Sequence, residues 1–304
     1  MSLKLTILGS NSALPKVNRF STAQLLNVNE RFFLIDCGEG TQIQLRKYKI
    51  KFTRINHIFI SHLHGDHIYG LPGLISSFNL LGRKADLHIF APEGFEDVLK
   101  NYLYYFEKNI QFDIIFHNTQ AKEKQVIFED SQVKVYSFPL KHRVPTTGFL
   151  FEEQLQKRRL IKEKLELFDV PVRLREAIKN GEDFVQEDGT VIKNELLTTP
   201  PPQPHSYAFC SDTAYSPKTS EYVKNVDLLY HEATFADKMR PRAKETLHST
   251  SSDAAKVAKQ ANAGKLLIGH FSSRYSDVSE LENEARKIFP ETYAVNDGDI
   301  FEIV

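Results

Sequence analysis

The sequence predicts an α/β sandwich, two β-sheets covered by helices, and three observations carry that expectation. Short β-branched or aromatic runs bounded by turn residues recur along most of the chain and read as strands. Amphipathic helical patterns lie between many of them. The two kinds of element alternate irregularly, with hairpin signals at the start, which suits two packed sheets better than one regularly wound sheet.

The first run, "LKLTILGS", alternates Leu3, Leu5 and Ile7, and "AQLLNV" and "RFFLIDCG" follow it closely enough to form hairpins. Further strands are expected at "HIFISH", "DLHIFAP" and "VKVYSFPL", then at "SYAFCSD", "DLLYHEAT", "KLLIGHFS" and "DGDIFEIV". Helical periodicity marks "PGLISSFNLL" and "GFEDVLKNYLYYFEK". It also marks "STSSDAAKVAKQANA", whose serines suit an N-cap, and "DVSELENEARKIF", where Asp277 and Glu280 have capping-box spacing. Tyr102, Tyr105 and Phe106 share one helical face and, with the stretch from Leu71 to Leu81, read as core or subunit contact before a base-stacking platform.

These elements point to a single domain over residues 1–304, interrupted by one segment of different character. From about residue 152 to 196 strand signals vanish, charge density rises, and "LTTPPPQPH" closes the stretch with a stiff proline-rich hinge, so it reads as an insertion. Between residues 157 and 179 it holds eight basic and four acidic residues, a local surplus in a chain whose net charge is zero. Taken alone, such a run is a solvated face.

With 304 residues and 41% hydrophobic content the chain can bury a large core, and its 39 basic and 39 acidic residues neither favour nor exclude a polyanionic partner. The two cysteines, Cys37 and Cys210, sit in apolar runs and are too few for a disulfide framework, which points to a reducing compartment. The N-terminus lacks a signal-peptide pattern and no later run approaches a membrane span, so a cytoplasmic protein that contacts no membrane is expected.

The chemistry is concentrated in "HIFISHLHGDH", where a strand gives way to a loop crowded with His62, His64, Asp66 and His67. In extended chain His62 and His64 project to one side, and Gly65 permits a tight turn that brings Asp66 and His67 toward the same point. Imidazole and carboxylate suit zinc or a similar ion, and with both cysteines elsewhere a catalytic centre is favoured over a structural one. Four donors on one loop suggest two metals, and His142, Asp212 and His270, each placed after an apolar run, are candidates to complete the centre. His57, His88, His117 and His205 lack such context and read as core or surface residues. Glu232 ends another strand, and His231 and His248 are candidates for an imidazole that holds a proton beside a carboxylate.

"HLHGDH" resembles the signature of the metallo-β-lactamase superfamily. With "FFLIDCGEGTQ" before it and "LKHR", "SDT", "HEAT", "HST" and "GHFSSRY" after it, the chain is similar from Leu5 onward to the ribonuclease Z family of tRNA 3′-processing endonucleases. The resemblance implies a four-layer αβ/βα sandwich with two zinc ions per subunit. His62, His64 and His142 would hold one, Asp66, His67 and His270 the other, and Asp212 would bridge them. It also implies a homodimer acting on precursor tRNA, with the segment at 152–196 as a protruding arm that grips the tRNA. That segment departs from the pattern of many relatives: in place of a glycine- and proline-rich knuckle it has "FDVPVRLREAIKNGEDF".

The implied reaction removes the 3′ trailer, leaving a 3′-hydroxyl on the tRNA and a 5′-phosphate on the trailer. Asp66 is expected to orient or deprotonate the attacking water, and His248, polarised by Glu232, to protonate the leaving oxygen. "SSRY" is a candidate contact to the cleaved phosphate. The rival readings are another hydrolase of the superfamily, acting on a lactam, a thioester or a cyclic nucleotide, and a non-catalytic RNA-binding protein.

Overall fold

The computed structural model describes residues 3–14, 16–107, 109–119 and 122–303. Lys108 of the expected "YLYYFEK" helix and Val304 of the expected last strand lie outside them. The chain divides into two compact units, one made of Met1–Glu152 with His205–Val304, the other of Glu153–Pro204.

The larger unit contains two seven-stranded sheets. The first is ordered Ile300–Ile303, Leu3–Gly9, Ala23–Val28, Arg31–Ile35, Ile55–Phe59, Leu87–Ala91 and Ile114–Asn118. Its first four strands pair antiparallel, and the last three join in parallel. The second sheet is ordered Thr292–Ala294, Lys265–Gly269, Leu228–Glu232, Ser206–Cys210, Thr146–Glu153, Val133–Leu140 and Gln125–Glu129. Its parallel set runs from Thr292–Ala294 to Ser206–Cys210.

The layering follows from successive side chains pointing to opposite faces of strands that are buried on both. Phe33, Phe59 and Phe90 from the first sheet meet Phe149, Phe151, Tyr207 and Tyr230 from the second in one buried cluster. Phe59 stacks on Phe90 at 4.4 Å and sits edge-on to Phe149 and Phe151, so truncating it to alanine would cost about 3–5 kcal/mol. The opposite faces carry Leu34, Ile58 and Ile89 against the helices Leu71–Leu80 and Phe95–Phe106, and Leu229, Leu266 and Ile268 against the helix Ser251–Ala261. The result is the expected helix–sheet–sheet–helix sandwich.

Local expectations were met unevenly. Ala23–Val28 and Val133–Leu140 form as read, whereas the strands Ile114–Asn118, Gln125–Glu129, Thr146–Glu153 and Thr292–Ala294 were not anticipated. The helix Ser251–Ala261 is capped by Thr250, in a capping box with Asp253, rather than by a serine. Asp277 forms no capping box: the helix Ser279–Arg286 starts from Val278, and the Asp277 carboxylate accepts from the Ser279 amide and hydroxyl instead. Tyr105 and Phe106 are exposed, as are Leu80 and Leu81, so that face belongs to no core of the subunit.

The smaller unit has its own core of Leu165, Val170, Ile178, Phe184, Ile192 and Leu197. Two-residue strands frame it, Arg159–Leu160 with Thr198–Thr199 and Phe184–Val185 with Val191–Ile192, and short helices span Lys162–Leu167, Arg175–Lys179 and Asn194–Leu197. The buried Asn194 amide donates to the carbonyls of Ile178 and Glu182 and so ties the core together.

Candidate metal centre

Parallel strands deliver their carboxyl ends to one edge, where α/β proteins build sites. The strand Ile55–Phe59 leads into Ser61, His62 and His64, and the short helix Gly65–Ile68 presents Asp66 and His67. Gly65 opens that helix, with His64 as its N-cap. The loop is pinned from behind by the Cys37 amide on the His67 carbonyl and the Gly70 amide on the Cys37 carbonyl. Gly38 is required there, because a Cβ would stand 2.4 Å from the Asp66 carbonyl oxygen.

The second sheet contributes in the same way. Asp212 follows Ser206–Cys210, Glu232 ends Leu228–Glu232, His270 follows Lys265–Gly269, and His142 follows Val133–Leu140. Asp36, Asp212 and His270 all have left-handed backbone, with φ of 55, 51 and 58°, a conformation that costs non-glycine residues on the order of 1 kcal/mol each. The chain accepts that cost where a strand ends and the side chain must turn into the crevice.

All of the expected ligands meet. His62 Nε2 lies 2.9 Å from His64 Nδ1 and 3.5 Å from Asp212 Oδ2, and His142 Nε2 is 3.7 Å from the same oxygen. The other Asp212 oxygen, Oδ1, faces His67 Nε2 at 3.2 Å and His270 Nε2 at 3.1 Å. Asp66 Oδ2 is 3.4 Å from His67 Nε2 and 3.5 Å from His270 Nε2. One carboxylate therefore turns one oxygen to each of two donor groups: His62, His64 and His142 on one side, Asp66, His67 and His270 on the other.

The rear nitrogen of most of these rings is already engaged. Ser61 Oγ contacts His62 Nδ1 at 3.0 Å, Asp36 Oδ2 contacts His67 Nδ1 at 2.6 Å, Thr234 Oγ1 contacts His270 Nδ1 at 3.0 Å, and His142 Nδ1 donates to the Leu247 carbonyl at 3.0 Å. These contacts fix tautomer and orientation, as metal-ligating imidazoles require. They leave Nε2 of His67, His142 and His270 buried and, among the described residues, without a hydrogen-bond partner.

The charges point the same way. Asp36, Asp66, Asp212 and Glu232 crowd one buried or nearly buried region, and among the described residues none of them pairs with lysine or arginine. Burial would raise the Asp212 carboxyl pKa, but the surrounding His270, His67 and His62 hold it well below its usual range. Burial, reinforced by the neighbouring His67, holds His62 neutral, the form that can coordinate. Buried anions facing unpartnered imidazole nitrogens fit one or more cations.

Glu232 and His248 form a separate pair beside these groups. Glu232 Oε1 accepts from the Thr213 amide and from His248 Nδ1, both at 2.8 Å, and Oε2 accepts from the Thr234 hydroxyl at 2.6 Å. Burial alone would lower the pKa of His248; the Glu232 charge and hydrogen bond override it and push it up to about 9. The turn that aims His248 is Leu247, left-handed at φ 56°, whose carbonyl also receives His142. His231 points away and bonds the Glu232 carbonyl in the core, so it is structural.

A cleft of about 450 Å³ opens over the centre, lined by Ala13, Tyr69, Arg143 and Thr246 besides the centre's own residues. "SSRY" forms a turn in which the Tyr275 hydroxyl accepts from the Ala236 amide and Arg274 lies over Phe235. Sequence reasoning missed Asp36, although a carboxylate ending the apolar run "FFLI" was a usable signal. It also missed Ala13, whose amide donates to Asp66 Oδ2 at 2.7 Å, and Thr234, which orients both Glu232 and His270.

Comparison with known proteins finds relatives along nearly the whole chain and a family model over its first half. The family model "Anti-Pycsar protein Apyc1" matches residues 3–160. The ribonuclease Z of Bacteroides thetaiotaomicron is 50% identical over 289 residues, 95% of this chain and 92% of its own, and that of Parabacteroides distasonis is 47% identical over 294 residues, 97% of each. Among solved structures, the short form of human tRNase Z (ELAC1) superposes with a TM-score of 0.70 at 26% identity over 98% of both chains. The metallo-β-lactamase fold protein YhfI of Bacillus subtilis, with a TM-score of 0.71 at 18% identity over 100% of both chains, shows the fold. The chain belongs to the ribonuclease Z family and, over residues 3–160, also to the one that the Apyc1 model describes.

Proposed function

We propose that this chain is a zinc-dependent endoribonuclease that removes 3′ trailers from precursor tRNA, leaving a 3′-hydroxyl on the tRNA and a 5′-phosphate on the trailer. The observation that carries this reading is Asp212, whose two oxygens face two separate donor groups 3.1–3.7 Å away. His62, His64 and His142 would hold one ion and Asp66, His67 and His270 the other, with Asp212 between them. When bound, such a pair lowers the pKa of water toward 7 and offsets charge growing on the scissile phosphate.

The protein's own groups do the rest. Asp66, one oxygen held by the Ala13 amide, orients the attacking water and takes up its proton. Attack on phosphorus in line with the leaving group breaks its bond to the 3′ oxygen. His248, its Nδ1 occupied by Glu232, offers Nε2 toward the cleft and donates the proton that oxygen needs. Glu232 is a positioning residue: it fixes the ring and stabilises its protonated form.

Substrate grip is assigned to the arm at 152–196. In its support, Glu153–Pro204 has a core of its own, and Arg159, Lys164 and Arg173 carry positive charge on its surface without an ion-pair partner among the described residues. Phosphate contacts of this kind bind RNA without reading its sequence and weaken with salt. The exposed Leu80, Leu81, Tyr105 and Phe106 are the proposed homodimer surface.

Incubating the protein with a 3′-extended precursor tRNA, with and without chelator, and mapping the new end tests the reading. Chelator-sensitive cleavage at the trailer junction is expected, and intact substrate would overturn the proposal. Deleting residues 152–196 should abolish tRNA cleavage while sparing hydrolysis of bis(p-nitrophenyl) phosphate. Unchanged tRNA cleavage after the deletion would count against an arm.

A further inference from the structure

The stretch "RKYKIKFTR", residues 46–54, places five cations among aromatic and apolar residues with no acid, in a chain of zero net charge. It begins in the last turn of the helix Thr41–Lys47 and ends with the 3-10 turn Phe52–Arg54. There it forms one wall of a cavity of about 310 Å³ on the first sheet. The other walls are Ile300 from the edge strand, Lys4 and Thr6 from the strand beside it, and Leu25, Asn27 and Phe32 from the next two. Lys4 and Phe32 stand near the starts of strands whose far ends lead to Ser10 and Asp36, so this cavity lies at the end of the sheet remote from the metal centre.

Its charges do not cancel. Lys4 is paired with Glu302 at 2.9 Å, and Arg54 with Glu30 at 3.0 Å while its guanidinium lies 4.6 Å over the Phe32 ring. Lys49 and Lys51 are exposed on the cavity rim and, among the described residues, neither forms an ion pair. Between them Ile50, with Leu25, Phe32 and Ile300, makes an apolar floor, and Thr6 and Asn27 add polar edges. Two unmatched cations beside an apolar, partly aromatic floor suit a ligand with a flat ring and about two negative charges, and a phosphate monoester carries −1.5 to −2 near pH 7. A backbone phosphodiester carries one.

We propose that this cavity binds a nucleoside 5′-monophosphate, its ring over the apolar floor and its phosphate at Lys49 and Lys51. Two sources share that chemistry: the free nucleotide and the 5′-phosphorylated end of an RNA. The inference concerns binding only and stands apart from the reading of the metal centre.

Calorimetric titration of AMP into the metal-loaded protein tests it. The variant Lys49→Glu/Lys51→Glu should bind AMP at least about tenfold more weakly, Lys49→Arg/Lys51→Arg should retain binding, and both should hydrolyse bis(p-nitrophenyl) phosphate as the parent does, which also shows that they fold. Ribose 5-phosphate and adenosine should each bind more weakly than AMP. Equal AMP affinity in the charge-reversed variant, or ribose 5-phosphate binding as well as AMP, would overturn the proposal. With binding so established, competition by a short 5′-phosphorylated oligoribonucleotide but not by its 5′-hydroxyl form assigns the cavity to RNA ends; no competition by either assigns it to the free nucleotide.

Discussion

Two gatherings of histidine in this molecule have nearly the same internal spacing and opposite characters. In the metal centre His62 Nε2 and His64 Nδ1 are 2.9 Å apart; on the strands Leu87–Ala91 and Ile114–Asn118, His88 Nδ1 and His117 Nε2 are 3.0 Å apart, with His57 stacked on His88. The first group surrounds Asp212 and Asp66, and among the described residues the Nε2 atoms of His67, His142 and His270 lack a hydrogen-bond partner. The second is wrapped by rings: Phe33 and Phe128 against His57, and Phe90 stacked on His117 at 4.3 Å. Among the described residues no carboxylate lies within ion-pair distance of it. Clustered imidazoles are thus no site in themselves; carboxylates held among them, with the rear nitrogens of His62, His67, His142 and His270 engaged, separate a cage for cations from an aromatic packing row.

The sharpest way to break this contrast is to remove the shared carboxylate. Asp212→Ala should lose both metal ions by elemental analysis and reduce precursor cleavage to background, whereas His88→Ala should keep metal and activity. Metal retained at full stoichiometry in Asp212→Ala would mean that the two donor groups do not need their bridge. Next in size, His248→Ala should slow cleavage by about 100- to 10,000-fold with metal content unchanged. Near-parental rates at saturating zinc would remove His248 from the reaction. Smaller again is Asp36→Asn, which keeps the shape but weakens the support behind His67; metal affinity should fall about 10- to 100-fold, read by competition with a chromophoric chelator.

The same contrast explains what the sequence made legible. The loop from His62 to His67 could be read because its donors are contiguous, and His142, Asp212, Glu232 and His270 because each follows an apolar run that only a strand explains. Asp36 was invisible as a partner, since its contact with His67 crosses 31 positions and rests on sheet pairing. The row of His57, His88 and His117 escaped for the same reason: three lone histidines become neighbours only when parallel strands set the register of His57 to His88 and of Phe90 to His117. The strands Ile114–Asn118 and Gln125–Glu129 lie at sheet edges with mixed burial, where hydrophobic alternation is weakest. Within Glu153–Pro204 the strands are two residues long, too short for any period to show.

The smallest predicted effect concerns the packing row and leaves catalysis untouched. Burial lowers the His57 pKa from 6.5 to about 4; the neighbouring His88 and His117 and the Arg31 charge push the same way, and Asp130 only partly opposes them. The folded state therefore binds this proton less readily than the unfolded chain. Stability is unaffected well above pH 6.5, is lost as pH falls from 6.5 toward 4, and falls no further below that. At pH 5 the loss from this one ring is about 2 kcal/mol. Phenylalanine fits among Phe33, Phe90 and Phe128 and carries no proton, so His57→Phe should match the parent in urea unfolding at pH 7 and exceed it by up to about 2 kcal/mol at pH 5. Metal content and cleavage rate at pH 7 should not change. Equal stability of the two proteins at both pH values would show that His57 takes up its proton as readily in the fold as in the unfolded chain, and so that the second histidine group is charged at pH 5 rather than a neutral stack.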